Sequence, residues 1–299
     1  MKKQNIFAII ASMIWGAAFV AQEICADKIP AFTVNTSRAF IAVVFLIILS
    51  ISLRMYKTRK GTYVPMKSQD KKKLIVGGIL CGFFLTLATS LQQTGLTDTD
   101  SGKAGFITAL YVVVVPVFAL FLHKKAPITV WISVVLAVFG LYFLCVKENF
   151  TIQSSDVLLI LCAVAFAIQI LIIDYYTNFV DGILLSLVEF ITMFLLSGIC
   201  MLLFDKIDFS AILDCIIPII YMGFFSSGVA YTLQILAQKD SNPTVITLLL
   251  SLEALFSVVA QVLYFKKGLE PLEWLGCLLM LIAVILAQLP ISVFKRKKA

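Results

Sequence analysis

Apolar residues run along this chain in long blocks, each about the length of a membrane-crossing helix. A spanning helix needs about 20 mostly apolar residues. Ten runs meet that need: 5–22, 32–53, 74–93, 104–122, 128–146, 156–173, 183–204, 214–236, 244–265 and 270–290. None alternates with the period of two that a membrane β-strand requires. The pattern therefore predicts an all-α membrane protein of ten transmembrane helices joined by short connections. The longest connection is the polar stretch RMYKTRKGTYVPMKSQDKKK. The first run resembles a signal peptide, but many further spans follow it without a loop-like cleavage site, so it is expected to be a retained helix.

Composition agrees with the pattern. Of 299 residues, 61% are hydrophobic and 14% charged, and mean hydropathy is +1.02. Soluble domains are about 45–50% apolar and about 25% charged, so this chain has too little polar surface to cover a water-soluble globule. The net charge of +7 sits mainly in loops between apolar runs. That distribution writes membrane topology and argues against nucleic acid as a partner. With the N-terminus in the cytoplasm, seventeen basic residues fall inside and six outside. Both termini are thus expected in the cytoplasm, with the chain in the inner (plasma) membrane. Seven cysteines, an odd number without a Cys-x-x-Cys pair, read as small buried hydrophobes.

The two halves resemble each other. The segment GFFLTLATSLQQTGL (82–96) aligns without a gap on GFFSSGVAYTLQILA (223–237), placing Gln93 on Gln234, Thr86 on Ser227 and Ser90 on Tyr231. Downstream, APITVW ending at Trp131 matches EPLEW ending at Trp274. IIASMIWGAAF and LILCAVAFAIQ form a weaker pair. Spans 1–5 then correspond to spans 6–10, with repeats at 1–150 and 151–299. Five is odd, so the second copy enters the membrane from the opposite side. Such a 5+5 inverted repeat is the pattern of secondary transporters, whose substrate site lies near the midplane between the halves.

Polar residues inside the spans follow helical spacing. Span 1 carries Ser12, Trp15, Gly16, Phe19 and Glu23. Span 3 carries Thr86, Thr89, Ser90 and Gln93, and span 4 Thr108 and Tyr111. Span 8 carries Ser227, Tyr231 and Gln234, and span 9 Glu253, Ser257 and Gln261. In lipid such stripes turn inward, to pack helices or to line water. Serine and threonine hydroxyls also bond their own helix, and Gly16, Gly77, Gly78, Gly82, Gly223 and Gly228 suit close helix packing.

The ionisable residues are fewer and more telling. Glu189 and Glu253 lie well inside spans 7 and 9, with side chains too short to reach the surface. A carboxylate withdrawn from water favours its neutral form, so both are candidates to carry a coupling proton. Arg38 sits just inside span 2, where a guanidinium in hydrocarbon costs about 2.5–3.5 kcal/mol. Three readings stay open: it reaches the outer interface, it pairs with Glu23, or it meets an anionic group of a solute. Glu189 falls within one residue of the repeat equivalent of Arg38.

The motifs IWGAAFVAQ, FTVNTSRAF, GKAGFITALYVVVVPVFA and LLLSLEALFSVV, in this order, resemble the drug/metabolite transporter superfamily, in particular its ten-helix EamA-type members. The resemblance covers nearly the whole chain. It implies two five-helix halves around a central cavity, and export or exchange of small metabolites, amino-acid-like solutes or drugs. One departure is Leu252-Glu253-Ala254, where the family often reads Leu-Glu-Pro; a hinge there loses its usual proline, while Pro116 is kept in span 4.

Catalytic chemistry finds no support. The single histidine, His123, lies in an expected cytoplasmic turn, no cluster has metal-ligand spacing, and no Walker or Gly-x-Ser-x-Gly loop occurs. No enzyme activity and no cofactor are expected. The expected activity is secondary transport by alternating access, with Trp15, Tyr111 and Tyr231 packing on the solute. Arg38, Gln93, Gln234 and Glu253 would supply polar contacts, and Glu189 or Glu253 the proton if transport is coupled. An uncoupled facilitator of the same fold, and a membrane scaffold or embedded enzyme, are the alternatives. Expected partners are a small-molecule solute and lipid, with the chain a monomer or homodimer.

Overall fold

In lipid the backbone must satisfy its own hydrogen bonds, and helices do so within one segment. The computed structural model describes residues 3–26, 28–99, 101–121, 127–145, 153–266 and 270–288; His123 and the basic C-terminal KRKK lie outside them. All regular elements among these residues are helical. The first half holds α1 (Lys3–Ala26), α2 (Ala31–Arg59), α3 (Ser68–Gly95), α4 (Ser101–Ala109), α5 (Tyr111–Phe121) and α6 (Ile128–Cys145). The second half holds α7 (Ser154–Tyr176), α8 (Gly182–Phe204), α9 (Phe209–Asp214) and α10 (Ile216–Tyr221). It continues with a π segment (Met222–Ala230), α11 (Tyr231–Gln238), α12 (Pro243–Leu250), α13 (Leu252–Phe265) and α14 (Pro271–Gln288).

Local chemistry sets the helix starts. Asp181 Oδ1 accepts from the Ile183 and Leu184 amides to cap α8. Asn242 Oδ1 accepts from the Thr244 amide, with Pro243 at the first turn of α12, a position that has no need of an N–H. Gln153 and Asp156 form a reciprocal capping box on α7.

Eight helices or helix pairs are long and apolar enough to cross a membrane, and the apolar stretches Ile128–Phe143 and Pro271–Ala287 are shorter. Two of the ten expected runs break well inside their length, while run 214–236 carries a turn at Cys215 near its start. Run 104–122 breaks at Leu110 and run 244–265 at Ser251. At each break the chain tightens by one residue: the Val113 amide donates to Leu110 O and the Ala254 amide to Ser251 O. The spacing between these two turns is the same as that between Gln93 and Gln234. Pro116 removes an N–H from α5 and so frees the carbonyl of Val112, one turn from the first break. No proline serves the second. There the Thr247 hydroxyl bonds Pro243 O and Thr244 O, and the Ser251 hydroxyl bonds Leu248 O, side-chain bonds of the kind that bend helices.

The helices pair across the halves. α2 packs on α8 and α6 on α14, while α3 packs on α7 and α8. In exchange, the π segment packs on α1 and α2 and α11 packs on α1; α1 lies along α13 as α7 lies along α4 and α5. Glycines allow these approaches. A Cβ on Gly82 would come within 2.5 Å of Glu189 O and Thr192 Cβ of α8, and one on Gly223 within 2.6 Å of Ile41 Cβ of α2. One on Gly16 would meet Phe256 of α13. Large apolar side chains such as Ile48, Leu202 and Phe209 point outward, as lipid-facing residues do.

Candidate functional site

Ten elements, α1–α5, α7, the π segment and α11–α13, meet around a narrow central cavity of about 30 Å³, room for about two waters. Its polar wall comprises Gln22, Arg38, Gln92, Thr108, Tyr111, Ser226, Gln234 and Glu253, and its aromatic wall Trp15, Phe19, Phe166 and Tyr231. Six of the seven residues expected to touch a solute therefore line one space: Trp15, Arg38, Tyr111, Tyr231, Gln234 and Glu253.

Gln93 is the exception. Its Nε2 donates to the Gln22 main-chain carbonyl at 3.2 Å, and its neighbour Gln92 faces the cavity, donating to Thr108 Oγ1 at 3.3 Å. A one-residue step turns a helical side chain by about 100°, enough to exchange the two. Gln93 thus holds α3 to α1 behind the wall.

Arg38 is 2% exposed. Its Nε donates to Ser227 Oγ at 2.9 Å and its Nη2 to Ser226 Oγ at 3.3 Å, while Nη1 has no partner. The expected pairing with Glu23 is not made; the ion pairs among the described residues are Lys57–Asp181 and Lys103–Asp156. Arg38 also does not reach the outer interface, because α2 and the π segment enclose it.

The π segment explains how the serines reach Arg38. A π turn bonds residue i to i+5, and the Tyr231 amide bonds Ser226 O. The same carbonyl accepts from Trp15 Nε1 at 3.3 Å. Trp15 then packs against Tyr231, the two rings tilted by 60° with centroids 4.7 Å apart, and Phe190 backs Tyr231 edge-on at 5.5 Å.

Glu253, 5% exposed, also lines the cavity, beside the Tyr111 side chain. Glu189 is fully buried but outside the cavity lining. Its Oε1 accepts from Gln169 Nε2 at 2.8 Å, and Gln169 Oε1 accepts from Gln234 Nε2 at 3.4 Å. Gln169 so links Glu189 to the cavity wall.

Several stripe residues serve their own helices. The hydroxyls of Ser12, Thr86, Thr89 and Ser257 bond carbonyls three or four residues back. Gln261 lies outside the cavity lining. Sequence reasoning passed over Gln22, Gln92, Phe166, Gln169 and Ser226. Gln22 had a signal, since it stands seven residues from Trp15 on the same helical face.

No cluster of three or more potential metal ligands occurs among the described residues, and the cavity holds no His or Cys side chain on its wall. Its lining offers one guanidinium, one carboxyl group and an aromatic face.

The EamA-like transporter family matches this chain twice, over residues 2–146 and again over 153–289. The chain belongs to the EamA-like transporter family. It is a multi-pass membrane transporter of the drug/metabolite transporter superfamily. An uncharacterized transporter of Archaeoglobus fulgidus is 29% identical over 285 residues, spanning 94% of this chain and 84% of that one. Protein PagO of Salmonella typhimurium is 27% identical over 152 residues, 50% of this EamA-like chain and 47% of PagO. A solved crystal structure shares the fold at a TM-score of 0.78 and 15% identity, covering 98% of this chain and 99% of the other.

Proposed function

We propose that this EamA-like protein is a secondary transporter of the plasma membrane that moves a small solute by alternating access. Its ten membrane helices form a 5+5 inverted repeat, residues 1–150 and 151–299, with both termini in the cytoplasm. The observation that carries the reading is the central cavity, where polar side chains from both halves converge in an otherwise apolar bundle. Two features support the repeat. The family matches each half separately, and the main helix contacts between the halves, α3 on α7 and α8 against the π segment and α11 on α1 and α2, have counterparts when the halves are exchanged, down to Gly82 on α8 and Gly223 on α2.

Trp15, Tyr111 and Tyr231 pack on the solute, and Arg38, Gln234 and Glu253 give it polar contacts. Gln93 acts on the wall through Gln22. A cavity of about 30 Å³ must widen to admit a metabolite, as rocking of two halves about a fixed site would allow. The breaks at Leu110 and Ser251 lie beside Tyr111 and Glu253, so bending there moves site residues. Glu253 in the wall and Glu189 behind it are the proton carriers if transport is coupled to protons.

Single cysteines at positions 15, 234 and 253 test the site. A water-soluble maleimide is expected to react with each, and a solute that binds should slow the reaction. If only lipid-soluble reagents modify them, the central pathway is wrong. Once a transported solute is in hand, uptake into proteoliposomes with and without a pH gradient tests coupling. Gradient-independent uptake that survives Glu189→Gln and Glu253→Gln would make the protein an uncoupled facilitator.

A further inference from the structure

We propose that an anionic glycerophospholipid binds in the hollow between the end of α2 and the start of α8, with its phosphate on Arg54 and Lys57 and a fatty chain along the apolar floor. The site is separate from the central cavity and does not depend on what that cavity takes.

The hollow holds about 540 Å³, within the range of about 300–1,000 Å³ for small-molecule pockets. Ser50, Ile51 and Leu53 of α2, Val64 and Met66 of the loop that follows, and Leu184 of α8 line it. It borders lipid, because Ile47, Ile48 and Ile51 of α2 are exposed apolar side chains. Charge begins at Arg54, one turn beyond Ser50. The hollow therefore crosses the boundary between hydrocarbon and headgroups. A phospholipid crosses the same boundary, which a soluble anion does not.

The charged wall fits a phosphate. Arg54 and Lys57, three residues apart, share a face of α2 and both line the hollow. Arg54 stands over the Tyr63 ring of the loop, 5.2 Å from its centroid, and forms no ion pair among the described residues. Asp181, the acid on this wall, is engaged elsewhere. Its Oδ1 accepts from the Ile183 and Leu184 amides, and its Oδ2 lies 3.6 Å from Lys57 Nζ. An ammonium carries three donors, so Lys57 can hold Asp181 and a phosphate oxygen together. Arg54 keeps its charge for the ligand. Residues 54–73 hold eight basic side chains and one acid, Asp70, and such a cluster beside a spanning helix attracts anionic lipid.

Ser50 separates a phospholipid from a single-chain acid. Its hydroxyl is buried without a hydrogen-bond partner, one turn on the hydrocarbon side of Arg54. The ester carbonyls of a glycerophospholipid lie just inside its phosphate, so one can accept from Ser50 while the phosphate meets Arg54. A fatty acid has one polar group, which Arg54 would take, leaving Ser50 unbonded. A zwitterionic lipid brings a cation to a basic wall. Because α2 and α8 belong to different halves, the bound lipid joins the halves at this end.

The test is native mass spectrometry of the full-length protein in detergent micelles, titrated with lipids of matched chains. Probes are phosphatidylglycerol, phosphatidylcholine, diacylglycerol, oleic acid, glycerol phosphate and inorganic phosphate. Phosphatidylglycerol is expected to bind its first site about tenfold or more tightly than every other probe. Arg54→Gln with Lys57→Gln should reduce it to the level of phosphatidylcholine, while Lys71→Gln with Lys72→Gln, on the exposed start of α3 outside the hollow, should change it less than twofold. Ile51→Trp, which fills the floor and keeps both charges, should weaken it about tenfold. The comparison of probes on the unaltered protein stands even if a variant misfolds. The proposal is overturned if phosphatidylcholine or diacylglycerol binds as well as phosphatidylglycerol, if oleic acid or either soluble phosphate does, or if no probe binds. It is also overturned if the Lys71 and Lys72 changes cost as much as those at Arg54 and Lys57, which would make the attraction a diffuse property of the basic surface.

Discussion

Replacing Gly82 by alanine puts a methyl carbon 2.5 Å from Glu189 O and Thr192 Cβ. Carbon atoms in good contact stand about 3.5–4.0 Å apart, so α3 and α8 must separate by about 1 Å. Overpacking of this kind costs about 1–3 kcal/mol. Alanine also favours the helix over glycine by about 1 kcal/mol, which offsets part of that. Gly223→Ala meets Ile41 Cβ at 2.6 Å and should behave alike. Gly198 is the control, because its nearest atom, Thr36 Cγ2, lies 3.7 Å away; there the helical gain acts alone. Gly82→Ala should therefore be about 2 kcal/mol less stable than Gly198→Ala, some thirtyfold in the unfolding equilibrium. Equilibrium unfolding in mixed micelles, followed by circular dichroism, measures the difference. Equal stability of Gly82→Ala and Gly198→Ala would refute the close approach of α3 to α8, and with it the packing of one half on the other.

Three further outcomes test the charge and polar network. Lys103→Met should cost about 1–3 kcal/mol, because Asp156, 2% exposed and 2.7 Å from the ammonium, loses its counter-charge; Lys57→Met, from a 3.6 Å pair with both side chains at least 40% exposed, should stay within about 0.5 kcal/mol. Gln169→Leu leaves Glu189 without its donor and should destabilise by about 1–3 kcal/mol, while Gln169→Leu with Glu189→Leu should recover most of that loss, since two apolar groups need no partner. Trp15→Phe keeps an aromatic ring against Tyr231 but loses the bond to Ser226 O; uptake should fall about tenfold or more, with the unfolding midpoint shifted little.

The membrane class and the two-half plan were legible because lipid imposes long apolar runs and because a duplicated segment leaves an ungapped match such as 82–96 on 223–237. Six residues of the cavity wall were legible for a related reason. Trp15, Arg38, Tyr111, Tyr231, Gln234 and Glu253 are polar or amphipathic side chains within apolar runs, and in lipid these must face inward. Direction within the interior was not legible. Gln92 and Gln93 are chemically identical neighbours, and only the rotation of α3 decides which meets the cavity. The partner of Arg38 was hidden in the backbone: Ser226 and Ser227 reach it from a π register, and no residue pattern in MGFFSSGVA announces that register in advance.

The break in span 9 carries the physical lesson furthest. Proline breaks a helix by deleting a donor, and its absence at Ala254 suggested a continuous run. Hydroxyls bend a helix from the other side of the bond, by competing for its carbonyls. Thr247 and Ser251 do this within one turn of the break, at the place where Glu253 enters the cavity. A proline break is permanent, whereas a hydroxyl can release its carbonyl by rotating about one bond. Span 4, with Pro116, is then the stiffer of the two broken spans, and span 9 the one whose bend can open and close. Thr247→Val with Ser251→Ala should straighten α12 into α13 and slow transport while solute binding in the resting state is kept. Faster transport, or unchanged transport with a straight helix, would show that the bend has no part in the cycle.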